Sequence, residues 1–221
     1  NYVSPIPAPV RDELRYWQHV PISSFSSQIW PPLFSPQHRL ECDAGAHGWG
    51  GVLSSHSAQG GFPPHLNHGS ASSTLREVLG ILYCLQSFCS LVKSSSVQVI
   101  TDSMNAPQVC KRGSSDSRLN DIAKQIWSFT RAHHISLHIT WVPRSANQAA
   151  YALSHFYDAA DWSLHPSIFQ HLHRSWGPFS IDRFASSTNH HLPTFNSYFW
   201  CPDSAGINAF LQSDWHRHFN W

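Results

Sequence analysis

His38-Arg39-Leu40-Glu41-Cys42-Asp43, followed by Ala44-Gly45-Ala46-His47 and then Gly48-Trp49-Gly50-Gly51-Val52-Leu53-Ser54-Ser55, is the stretch whose reading decides the fold. The first six residues read as a strand that ends on a carboxylate. The next four break it, and Gly48 to Ser55 read as a second strand, so the pair makes a hairpin. A weaker third strand is expected near Gly60–Leu66. Beyond it, Ser73 to Leu91 follow helical periodicity, with Leu75, Val78, Leu79, Leu82 and Leu85 on one face. Val97 to Thr101 form a short buried-type strand closing on Asp102. A helix is expected from Ser103 to Cys110 and a longer one from Ser117 to His133. Ile135 to Val142 alternate as a strand that Pro143 stops, and Asn147 to Phe156 form a last helix. A strand hairpin followed by alternating helices and strands predicts an α/β protein with a mixed sheet and helices packed on its faces.

On either side of this unit the sequence changes character. Residues 1–37 are rich in Pro and Ser around one short helix, Arg11 to His19, and read as a lead-in or connection. After residue 157, residues 158–221 read as an extension, with a helix from Trp162 and a strand Phe179–Asp182 that ends on an acid. Its aromatics are expected to pack on the main unit or to complete a small α/β piece. The chain has a 41% apolar fraction, enough for a core, but only 12% charged residues and a net charge of +1. A free-standing nucleic-acid binder usually shows a basic face, so a partner is expected to do much of the gripping. Five cysteines, an odd number with no C-x-x-C pair, point to reduced thiols and an intracellular setting, cytoplasm or nucleus. No apolar run approaches the ~18–20 residues of a membrane helix. Asn1 where Met would stand points to a piece of a longer protein.

Three acids sit where chemistry would want them. Asp43 and Asp102 close two strands, and Glu77 lies in the first turn of the helix between them. Strand ends in an α/β sheet open onto a crevice where ligands bind. Acids converging there repel one another unless a divalent cation holds them ionised. Hard carboxylate oxygens suit Mg²⁺ or Mn²⁺, one or two ions, and two such ions support in-line phosphodiester cleavage. Each acid also has a purely structural alternative. Glu77 closes Thr74-Leu75-Arg76-Glu77, a capping box; Asp102 precedes a helix it could cap; Asp43 precedes a turn.

Cys42-Asp43-Ala44 with Gly48-Trp49-Gly50, then Ser72-Ser73-Thr74-Leu75-Arg76-Glu77, then Thr101-Asp102-Ser103, resemble the ribonuclease H region of DIRS-type and related retroelement polyproteins. Trp141-Val142-Pro143 and Asn147-Gln148-Ala149-Ala150-Tyr151-Ala152-Leu153-Ser154 continue the likeness, which covers roughly residues 38–156 of a domain bounded at 38–157. It implies a ribonuclease H-like fold, a mixed five-stranded sheet with helices on both faces, plus the short C-terminal α/β extension. It implies metal-dependent cleavage of the RNA strand of RNA–DNA hybrids during reverse transcription, with the reverse transcriptase domain of the same polyprotein as partner. Asp43, Glu77 and Asp102 take the positions of catalytic metal ligands, and Asn105, Arg144 and Asn147 those of substrate contacts.

Two positions depart from that pattern: the Arg that closes the family's last helix is His155 here, and an acid within that helix is missing. The family's last helix carries an Asp as fourth ligand, and here the residue is Tyr151, a neutral phenol. Asp158 is a candidate compensating ligand, but it lies some 10 Å further along the same helix face by helix rise. The alternative function is therefore a non-catalytic scaffold or nucleic-acid-positioning module. The extension is similar to the opening of phage-type adenine methyltransferases, yet the motif that holds the target adenine does not follow, so methyl transfer is not expected. Close histidine pairs at 171/173, 190/191 and 216/218 lack zinc-motif spacing.

Overall fold

The computed structural model describes residues 5–19, 34–46, 48–66, 72–155, 162–201 and 203–221. His47, Phe156 and Asp158 of the expectations above lie outside them. The chain forms two compact units, Asn1–Phe34 and Ser35–Trp221. The first contains helix α1 (Ala8–Gln18), which starts three residues before the expected Arg11, with Pro9 in its first turn, where its missing N–H costs nothing. No residue of α1 is buried.

In the second unit, β1 (His38–Ala44), β2 (Gly48–Leu53) and β3 (His56–Gly61) form an antiparallel meander. β4 (Ser96–Thr101) pairs parallel with β1, and β5 (Ser136–Trp141) parallel with β4. The five strands lie in the order β3-β2-β1-β4-β5. Around them run α2 (Ser73–Ser87), α3 (Cys89–Val92), α4 (Ala106–Arg112), α5 (Ser117–Ala132) and α6 (Gln148–Ser154). The third strand ends earlier than expected: Pro63 and Pro64 cannot donate to a ladder, and residues 64–66 turn as a single 3-10 loop instead. The expected helix to Leu91 is interrupted at Phe88, which ends α2 and opens the short α3.

Two adjacent glycines show how the helices cover both faces of the sheet. Side chains alternate across a strand, so Gly50 and Gly51 face opposite ways. A Cβ on Gly51 would meet Sγ of Cys84, in α2, at 2.5 Å. A Cβ on Gly50 would meet Cβ of Leu153 at 2.5 Å and the Ser154 nitrogen at 2.6 Å, in α6. Gly50 is paired with Asp43 and Gly51 with Cys42. Asp43 therefore shares the α6 face, while Cys42 joins the core under α2. That core gathers Leu40, Val97 and Val99 from the sheet, Val78, Ile81, Leu82 and Leu85 from α2, and Ile122 and Ile126 from α5.

The C-terminal part is built from α7 (Pro166–Trp176) and a second, parallel sheet of β6 (Asp182–Ala185), β7 (Phe195–Ser197) and β8 (Gly206–Ile207). Helix α7 starts four residues later than the expected Trp162, with Pro166 in its first turn. The expected strand Phe179–Asp182 is corrected: β6 begins at Asp182 rather than ending there. Residues 180–183 instead bond the last residues of the chain, Ser180 N–H to Phe219 O and Arg183 N–H to Trp221 O. The side chain of Arg183 is fully buried; Nε donates to Asn220 Oδ1 at 2.6 Å, and Nη1 to Asn196 Oδ1 at 2.8 Å and Asp214 Oδ1 at 3.0 Å. The extension meets the core through Trp200, whose ring lies 4.7 Å from that of Tyr83 in α2. Its backbone N–H donates to Ser87 Oγ.

The glycine contact yields a direct expectation. Gly50→Ala places a methyl group into the backbone of α6 and lowers stability by about 1–3 kcal/mol, read as a fall in the thermal midpoint.

Candidate metal centre

The sheet register brings the two aspartates level. Glu41 pairs with Ile100 in the parallel β1–β4 ladder, so Asp43 and Asp102, each two residues further on, leave the sheet side by side. Asp43 is 2% exposed. Helix α2 passes over this end of β1, where a Cβ on Gly80 would sit 3.3 Å from Cβ of Ala44. The same approach delivers Glu77. The Ala44 backbone amide favours the charged form of its carboxylate. One ligand atom from each of Asp43, Glu77 and Asp102 lies within 4.8 Å of the other two. Among the described residues no other group of three metal-ligating side chains forms, the histidine pairs included.

The capping alternatives for Glu77 and Asp102 are not what the structure shows. Helix α2 starts at Ser73 with Ser72 as its N-cap, so Glu77 stands in the second turn, too far along to close a capping box. Asn105, not Asp102, is the N-cap position of α4. Asp102 is instead held by Arg144, whose Nε donates to Oδ2 at 2.8 Å, and its backbone carbonyl accepts Trp141 Nε1–H at 3.1 Å.

Helix α6 supplies the remaining wall. Tyr151 occupies the position where the resemblance places a carboxylate. The Arg144 guanidinium lies 5.0 Å above its ring, and the His155 ring packs 4.2 Å from it. One turn on, the buried Ser154 hydroxyl donates to Asp43 Oδ2 and lies 2.8 Å from His155 Nδ1. The Tyr151 carbonyl lies 2.9 Å from the same hydroxyl and 3.0 Å from His155 Nδ1, so Asp43, Ser154, His155 and the Tyr151 backbone form one polar cluster. Neither Ser154 nor His155 was singled out by sequence reasoning as a neighbour of Asp43. The signal available was helical spacing: Asn147, Tyr151 and Ser154 share one face of α6.

Electrostatics separate the acids. Burial, then the charges of Asp43 and Asp102, push the Glu77 carboxyl up to about 8, against the smaller opposing pulls of Arg144 and the Ala44 amide. Burial also raises Asp43, partly offset by the Ser154 hydrogen bond. Such clustering is characteristic of sites built around a cation.

The family model described as reverse transcriptase-like matches residues 39–157, more than half of the chain. The chain belongs to that family. Its sheet order and helices give this domain a ribonuclease H-like fold. Among solved structures, it is similar to RNase H1 from the halophilic archaeon Halobacterium salinarum, with 18% identity, a TM-score of 0.44, and coverage of 52% of this chain and 92% of that one. The N-terminal RNase H domain of a Mycobacterium tuberculosis protein, solved as a maltose-binding-protein fusion, matches at 19% identity and TM-score 0.44, over 54% and 91% of the two chains. The foamy viral protease-reverse transcriptase, solved with an RNA/DNA hybrid, matches at 12% identity and TM-score 0.41, over 58% of this chain and 21% of its own. No curated protein matches the sequence. No helix among the described residues is long and apolar enough to cross a membrane.

Of the three expected substrate contacts, Asn105 and Arg144 are exposed at the mouth of the site; Asn105 Nδ2 donates to Thr74 Oγ1 at 3.3 Å. Asn147 is elsewhere. It is fully buried, and its Nδ2 donates to Cys42 O at 2.9 Å, which ties the start of α6 to β1.

The raised Glu77 carboxyl sets a pH dependence. A carboxyl whose folded value lies above its unfolded one stabilises the fold below about 4.5 and loses that contribution as pH rises through about 8. In metal-free protein, Glu77→Gln is therefore expected to raise the thermal midpoint above pH 8 by roughly 2–6 °C and to change it little at pH 4.5. An equal effect at both pH values would contradict the charge repulsion argued here.

Proposed function

We propose that this domain is the ribonuclease H of a retroelement polyprotein, of DIRS type or a relative, cutting the RNA strand of RNA–DNA hybrids during reverse transcription. The observation that carries the reading is the convergence of Asp43, Glu77 and Asp102 at the strand ends of a domain in the reverse transcriptase-like family. The donor set fits a hard divalent cation: three carboxylates, one forced toward its protonated form by burial and by the other two, gain most from a positive charge between them. Mg²⁺ or Mn²⁺ held there would activate water and stabilise charge on the phosphate being cleaved. The chain's own residues do the positioning. Ser154 fixes the rotamer of Asp43, the Ala44 amide fixes Glu77, and Arg144 and Asn105 offer exposed donors to the substrate backbone. Recognition of the hybrid would draw on the 2′-hydroxyls of one strand, and a reverse transcriptase domain of the same polyprotein, inside the cell, would supply further grip. Residues 38–157 are proposed as the catalytic unit, 1–37 as its connection, and 158–221 as an extension packed through Trp200. Asp158 as a compensating ligand lies outside the described residues.

A second reading, a scaffold or nucleic-acid-positioning module without turnover, is favoured by one observation. Tyr151 brings no negative charge to the fourth corner, and a guanidinium lies over its ring.

Cleavage of a labelled RNA–DNA hybrid in Mg²⁺ and in Mn²⁺ separates the two. The nuclease reading expects cleavage by the wild type, its loss in Asp43→Asn, and a gain of at least about tenfold in Tyr151→Asp, of the size that general charge stabilisation supplies. Wild type indistinguishable from Asp43→Asn, with cleavage appearing only in Tyr151→Asp, establishes the scaffold reading instead.

A further inference from the structure

We propose that Arg144 is the resident cation of this centre, standing in charge for a second divalent ion, so that Asp43, Glu77 and Asp102 take up one ion rather than two. The inference rests on the metal-centre reading above and concerns how many ions that centre holds.

Three observations support it. First, each aspartate already has one oxygen engaged from within the chain. Oδ2 of Asp102 accepts Arg144 Nε, and Oδ2 of Asp43 accepts the Ser154 hydroxyl. One carboxylate oxygen from each of Asp43, Glu77 and Asp102 lies within 4.8 Å of the other two, and with part of the aspartates' acceptor capacity already taken this set suits a single hard divalent ion.

Second, Arg144 is held in place by contacts with α6 as well as by Asp102. Its guanidinium lies over the Tyr151 ring at 5.0 Å, a cation–π contact that a carboxylate at 151 could not make. That ring is braced by His155 at 4.2 Å. The Arg144 carbonyl accepts Gln148 Nε2–H at 2.9 Å, which anchors the loop to α6. Tyr151 is thus a platform for a cation, besides being the absence of a ligand.

Third, the charges match. Three carboxylates and one guanidinium leave a net charge of minus two, which one divalent ion neutralises. A second ion would leave the cluster with an excess positive charge of two. An aspartate at 151 would add a further negative charge and a ligand oxygen while removing the ring that carries Arg144.

The test is titration of the full chain with Mn²⁺, followed by the electron paramagnetic resonance signal of the free aquo ion. One Mn²⁺ per chain is expected for the wild type, lost in Asp43→Asn. Arg144 is largely exposed, so Arg144→Ser leaves the core untouched, which its thermal midpoint checks. Removing the competing cation is expected to tighten the ion about 3- to 10-fold. The double variant Arg144→Ser, Tyr151→Asp is expected to bind two ions. Two ions in the wild type, or an affinity unchanged or weakened in Arg144→Ser, overturns the proposal while leaving the metal centre standing. No Mn²⁺ bound by the wild type, or binding unaffected by Asp43→Asn, removes the metal-centre reading itself and this proposal with it.

Discussion

Three carboxylates held within 4.8 Å of one another repel strongly, and most of what surrounds them in this domain is arranged to bear that repulsion. Arg144 takes one oxygen of Asp102, Ser154 one of Asp43, and the Ala44 amide a share of Glu77. Burial and the charges of the two aspartates together push the Glu77 carboxyl to about 8. A buried cluster of this kind lowers stability unless a cation completes it. Its persistence at the end of the two central strands is therefore the physical case for a metal-binding role.

Helix α6 is the element through which the sheet controls the site. It has only seven residues and lies directly on Gly50, where the missing Cβ leaves room for Leu153 Cβ and the Ser154 backbone. From that fixed position it presents Ser154 to Asp43 and Tyr151 to Arg144, while Asn147 ties the turn before it to β1. A neutral residue at 151 changes the charge of the site without moving the helix. The fold can in this way persist unchanged while the number of cations it holds is altered.

Much of this was legible in the sequence. Strands β1, β2, β4 and β5 and the inner faces of α2 and α5 follow from apolar periodicity, because each buries one face in a single core. The aspartates were readable because both end strands, and Glu77 because it lies on the helix connecting them. What was not readable depended on pairs distant in the chain. Ser154 meets Asp43 across 111 residues, and Arg144 meets Asp102 across 42. Residue types alone do not specify such meetings, since Ser and Arg stand at many surface positions. In the extension, β6 starts where a strand was expected to end, because the last residues of the chain pair with residues 180–183. Arg183, its buried centre, carries no periodic signal at all.

The central claim is that burial and its two acidic neighbours hold Glu77 near its protonated form, and that a divalent cation releases it. The chain has three glutamates, so carbon-13 labelling of glutamate side-chain carboxyls makes the Glu77 titration directly observable by nuclear magnetic resonance. The account predicts a midpoint near 8 without metal, moving toward the ordinary carboxylate range on addition of Mg²⁺ and unresponsive to Mg²⁺ in Asp43→Asn. A midpoint near 4.5 in the metal-free protein, or one that Mg²⁺ does not move, would contradict it.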